Sequence, residues 1–202
     1  MSAHGAPDGP DEGRGSVWDR WVRTAAPPPV AEVRGTLWSG APPAAWDDLP
    51  PATRDAVLAQ YDAYVEGADR VSARRATANS FFLTLNTAVV TAVGVLGAEV
   101  RPDVPATLVV PWVALLAQCL AWFSVLRAYR QLNAAKYVVI GAIEEVLPLS
   151  PWWRAEWRAL GAGRDPARYR PVGHVEALVP ALFALAYTAG LVLALVVPPG
   201  AS

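Results

Sequence analysis

Three long stretches of this 202-residue chain carry no charge at all. Residues 76–98, between Arg75 and Glu99, and residues 104–126, between Asp103 and Arg127, hold 23 each, and 26 more follow Glu176 to the end. A bilayer core of about 30 Å penalises charge, and about 20 helical residues cross it, so each run is long enough to span with some tilt. The runs lack the alternation of barrel strands, and a few strands could not close a barrel, which leaves helices. The expected fold is an all-α membrane protein with three spans, near 78–98, 105–126 and 177–197. Pro180 falls early in the third, where it marks a kink or an interfacial approach before Ala181–Val197.

Lys and Arg near the span ends set the orientation. Arg70, Arg74 and Arg75 precede the first span, Arg127, Arg130 and Lys136 follow the second, and Arg164, Arg168 and Arg170 precede the third. All three clusters fall on one side. The N-terminus and residues 127–176 are therefore expected in the cytoplasm, with the C-terminus outside. The first 16 residues have no apolar core and contain Asp8, Asp11 and Glu12, so the first span is expected to act as its own insertion signal.

Residues 1–52 read as a Pro-rich, poorly ordered arm, with Trp18, Trp21, Trp38 and Trp46 as docking anchors or as loosely attached apolar residues. Residues 53–202 form the helical membrane domain. A helix beginning near Thr53 carries Tyr61, Tyr64, Val65, Ala68 and Val71 at helical spacing into the first span. A second stripe, Leu126, Tyr129, Leu132, Tyr137, Ile140, Ile143 and Leu147, continues the second span. The two stripes are expected to pack as a cytoplasmic helical hairpin. Beyond Pro148, Ser150 and Pro151 read as N-cap and first residue of a short helix bearing Trp152, Trp153 and Trp157, stopped by Gly161–Gly163.

No constellation for chemistry emerges. The net charge of −1 offers no basic field for nucleic acid, and the single cysteine, Cys119, excludes an intrachain disulfide. His4 and His174 have no second ligand in motif spacing, so neither a metal nor another cofactor is expected, and His174 reads as a surface or interface pair with Glu176. Glu144, Glu145 and Glu156 read as a solvated face, and the chain is not expected to be an enzyme. In the first span, Ser80, Thr84, Thr87, Thr91, Gly94 and Ala98 step by threes and fours along one side. That seam either lines a wet path or lets another helix approach closely. Asn79 and Asn86 beside it call for a neighbouring helix, from the same or another subunit.

The blocks ADRVSARRATANSFFLTLNT, LRAYRQLNAAKYVVIGAIEEVLP and PWWRAEWRALGAGRDPARYRPVGHVEALVPALFALAY resemble the RipA-like family of small octameric bacterial membrane proteins. The resemblance runs over about residues 55–190. It points to Arg74, Asn79, Ser80, Phe81, Phe82 and Asn86, to Arg127, Tyr129, Leu132, Asn133, Lys136, Glu144 and Pro148, and to Glu156, Trp157, Tyr169 and Glu176 as structural positions. Tyr137 and Ala128 depart mildly from its pattern. It implies a ring of eight identical chains in the inner membrane and brings no established reaction. A looser similarity to two-span effectors of bacterial conflict systems adds stress or antiphage defence by membrane opening. The expected partners are lipid, other copies of the chain and a cytosolic protein, and no nucleic acid. Two functions follow: a pore controlled by its cytoplasmic region, or a non-conducting ring that organises lipid or docks a partner.

Overall fold

The computed structural model describes residues 27–96, 106–163, 167–168 and 172–196. Tyr169, the first 26 residues and the turn between the first two spans lie outside them, as does the side chain of His174. Four helices organise the rest: α1 (Val30–Leu37), α2 (Pro51–Leu96), α3 (Ala106–Glu144) and α4 (Val172–Val196). No strand occurs among the described residues. Three helices, over Pro51–Val93, Leu108–Glu144 and Val175–Val196, are long and apolar enough to cross a membrane.

Helix α2 starts two residues before Thr53. Proline suits a first turn, where the amide it lacks would have no helical partner, and the Thr53 and Arg54 amides bond to the Pro50 carbonyl at 2.9 and 3.0 Å. From there the helix runs 46 residues, from polar sequence into apolar sequence without a break. Helix α3 returns beside it. Contacts fall in step from Tyr61–Glu144 through Ser72–Asn133 and Asn79–Trp122 to Asn86–Cys119, the register of an antiparallel pair. Helix α4 runs parallel to α2, since Arg75–Glu176 and Asn86–Tyr187 share one sequence offset of 101. Pro180 is buried inside α4, and the helix passes through it from Val172 to Val196.

Outside the apolar runs, the hairpin closes through Ala68 and Val71 on α2 and Val138, Ile140, Ala142 and Ile143 on α3, all buried. Two members of the expected α3 stripe, Leu132 and Tyr137, stay exposed instead. The packing face has turned slightly about the α3 axis. Asn133 donates to the Ser72 hydroxyl at 2.8 Å, and Val138 fills the place given to Tyr137.

Within the stretch read as an arm, VAEVRGTL forms α1, which packs on α3. Arg34 anchors it by donating to the Pro43 carbonyl at 2.9 Å and lying 3.6 Å from Glu145. Past α3 the chain reverses, and residues Pro151–Glu156 and Trp157–Ala159 form a helical elbow against α3. Ser150 precedes the elbow, but its side chain makes no cap. Gly161 ends the elbow with φ 72°, a left-handed turn that glycine adopts without strain.

The elbow sits tightly because Gly141 has no side chain. A Cβ there would lie 2.5 Å from Cδ2 and 2.9 Å from Cγ of Trp153. Gly141→Ala is expected to force the indole outward and lower stability by about 1–3 kcal/mol, read as a fall in Tm of the detergent-solubilised protein.

Candidate functional site

Among the polar side chains of the apolar half one set is satisfied within the protomer and another is uncovered, while the buried Gln118 amide nitrogen has no partner among the described residues. Asn86 is 0% exposed: its amide donates to the Phe82 carbonyl at 2.8 Å, and its oxygen accepts the Tyr187 hydroxyl at 2.8 Å, with the Cys119 thiol at 3.9 Å. Asn79 accepts the indole N–H of Trp122 at 3.0 Å, and the Trp112 indole reaches the Thr188 hydroxyl at 3.4 Å. The neighbours that both asparagines required are therefore α3 and α4 of the same chain. Trp122, 0% exposed, stacks on Phe82 at 5.8 Å and meets Phe183 at 5.9 Å, so rings from three helices converge on it. Phe81, beside Phe82, faces outward.

The uncovered set is the seam. Ser80, Thr84, Thr87 and Thr91 are all exposed, and neither α3 nor α4 covers them. Together with Leu83, Ala88 and Ala92, the three threonines line an open groove along α2.

At the junction between apolar and polar halves, basic side chains gather at one end of the bundle. Arg75 lies 3.5 Å from Glu176, each largely shielded, and Arg127 and Arg130 line a notch with that same carboxylate and with Phe123 and Leu126. Arg74 is exposed, and Tyr129 half-buried. Glu176 thus pairs with an arginine of α2.

At the far end of the hairpin, Glu144 corrects the expectation of a solvated face. It is 1% exposed, and four donors converge on it: the Tyr61 hydroxyl at 2.7 Å, the Ser150 hydroxyl at 2.7 Å, and the backbone amides of Trp152 at 3.2 Å and Trp153 at 2.8 Å. Four donors match the lone-pair capacity of a carboxylate. The residue therefore ties α2, α3 and the elbow together. Ser150 serves the carboxylate rather than the helix start. Burial, then the hydrogen bond and charge of Glu144, push the Tyr61 phenol well above its ordinary range. Lys136 does not pair with Glu144: its ammonium sits 4.3 Å from the Tyr64 ring centre, a cation–π contact.

Beside this node, Tyr137, Trp152, Trp153, Trp157 and Leu160 line an open groove of about 470 Å³, with Glu156 at its edge. Glu156 and Trp157 are exposed there, as is Pro148 on the reversal that leads to the elbow. Sequence reasoning missed Trp122, Phe183 and Tyr187, and it gave Ser150 to a helix cap rather than to Glu144. Each acts through a partner on another element, and the unpaired asparagines were the one signal that such partners were needed.

Two outcomes follow. Glu144→Ala leaves four part-buried donors unpaired and should lower stability by about 3 kcal/mol, with new proteolysis around residues 145–160 as the local readout. Because Tyr61 holds its proton more tightly when folded, the stability it contributes is complete below the unfolded phenol's pKa of about 10 and is lost as pH rises beyond it. Tm between pH 9 and 11 should fall less steeply in Tyr61→Phe than in the parent chain.

Neither a curated protein nor a solved structure matches the chain significantly. A family model does, over residues 58–196, which takes in all three apolar helices, the Glu144 node and the elbow. By that match the chain belongs to the Octameric membrane protein family (8xMP).

Proposed function

We propose that eight copies form a ring in the bacterial cytoplasmic membrane that controls a path across it, with the N-terminus and residues 127–176 in the cytoplasm and the C-terminus outside. The observation that carries this reading is the seam on α2. Each protomer satisfies Asn79, Asn86 and the Trp112 and Trp122 indoles internally, yet leaves Ser80, Thr84, Thr87 and Thr91 as one uncovered line. Hydroxyls and small side chains are what a narrow wet passage between helices uses. The hairpin beyond the Arg75–Glu176 level is the control element, because α2 and α3 each continue unbroken from it into the bilayer. The role is non-enzymatic, and opening under stress or phage attack is the setting it fits.

One observation favours a second reading, a closed ring that organises lipid or receives a cytosolic protein in its aromatic groove. The Thr91 hydroxyl donates to the Thr87 carbonyl at 2.9 Å, so it needs no water.

Flux from liposomes holding the purified octamer separates the two. The path reading expects conductance that Thr87→Leu reduces at least tenfold while the octamer survives. A sealed membrane around intact wild-type rings would overturn it in favour of the closed ring.

A further inference from the structure

Asp55, Asp62 and Asp69 recur every seven residues on α2, with Glu66 between the last two, and all four are exposed. At 100° per residue they fall within about 60° of arc on the helix, roughly 100° round from the Tyr61 face that packs on α3. Glu66 is paired with Arg70 at 3.0 Å. The three aspartates have no ion pair with any described residue, and they are exposed among the described residues. Three like charges in line form a face that has no counterpart against it among the described residues.

The counterpart is at the same height in the molecule. Arg154 and Arg158 are exposed on the elbow and make no ion pair with a described residue. The elbow's level is fixed by its contacts. Its first amides bond Glu144, which also binds Tyr61, while Trp157 shares a groove with Ala134 and Tyr137. Those α3 residues lie beside Tyr64 and Ser72, through Lys136 and Asn133. The two arginines are therefore level with the stretch of α2 that carries Asp62 and Asp69. The elbow packs on α3 rather than along α2, so the acidic and basic faces belong to different sides of the protomer.

Ring symmetry makes that match informative. Rotation about the membrane normal keeps every residue at its own height, and a closed ring of more than two copies joins unlike patches, head to tail. We infer that the acidic face of α2 in one copy docks on the Arg154–Arg158 face of the next, so that ion pairs between neighbouring copies hold the hairpins together as a collar. The occupant of the face is a second copy of this chain. The inference rests on the octamer and requires that any path along the Ser80–Thr91 line run between neighbouring copies rather than along the ring axis. Because α2 is one helix, the same sector carries the Ser80–Thr91 line to the boundary between copies.

The test uses the full-length protein in detergent, with the oligomer mass read by native mass spectrometry. Arg154→Glu with Arg158→Glu should lower the octamer fraction about tenfold or more, since the repulsion recurs at every interface of the ring. Asp62→Arg with Asp69→Arg should do the same, and all four changes in one chain should restore the octamer. In a Cys119→Ala background, Asp69→Cys together with Arg158→Cys and a short bismaleimide should give a ladder of linked chains up to eight. Octamers that persist through both charge reversals would overturn the inference. So would linked dimers from Asp69→Cys alone, which would set α2 faces against each other or around the ring axis.

Discussion

Hydrocarbon supplies no hydrogen-bond partner, so every polar group carried into it must bring one along. In this protein that condition decides how three apolar helices sit together. Leucine and valine alone would let α2, α3 and α4 slide or rotate, because lipid tails solvate them as well as another helix does. Asn79 and Asn86 remove that freedom. Each needs a donor at a defined height and angle, and the Trp122 indole and the Tyr187 hydroxyl meet that need from two different helices. Once those two bonds form, Phe82, Trp122 and Phe183 fall into ring contact, and the Arg75–Glu176 pair closes the same bundle at its polar end.

Outside the apolar runs a different rule operates, and Glu144 expresses it. Burying a carboxylate is costly unless donors surround it, so a site that supplies four of them becomes the one arrangement the local chain accepts. The reversal after α3 consequently has a fixed shape, to which Pro148 and Pro151 add by restricting the backbone and Val146 by its burial. Gly141 contributes by absence, since the Trp153 indole occupies the space a side chain would take.

The span count was legible because charge-free length depends on composition alone, and so was the antiparallel hairpin, because its apolar spacing continues past the bilayer. Legibility stopped where a residue's state depends on a partner distant in sequence. Glu144 beside Glu145 looks like surface charge until Tyr61, 83 residues earlier, is known to point at it. Leu132 and Tyr137 fit the helical spacing as well as Val138 does, and only the placement of Asn133 against Ser72 turns them outward. The stretch around Val30–Leu37 has the prolines of an unstructured arm on both sides. Its anchorage comes from Arg34, whose partners Pro43 and Glu145 no local pattern reveals.

Helix α2 has a mechanical consequence. Its 46 residues make a rod of about 70 Å with no proline after its first position, and hydrogen bonding along the axis makes such a rod stiff in torsion as well as in bending. A turn imposed on the end that carries Tyr61 must therefore reappear at Thr87 and Thr91 with little loss. In a closed ring of such rods no copy can turn alone, because its neighbours would have to accommodate the same angle. In the ring proposed above, eight such rods would share one rotation, as the blades of an iris do.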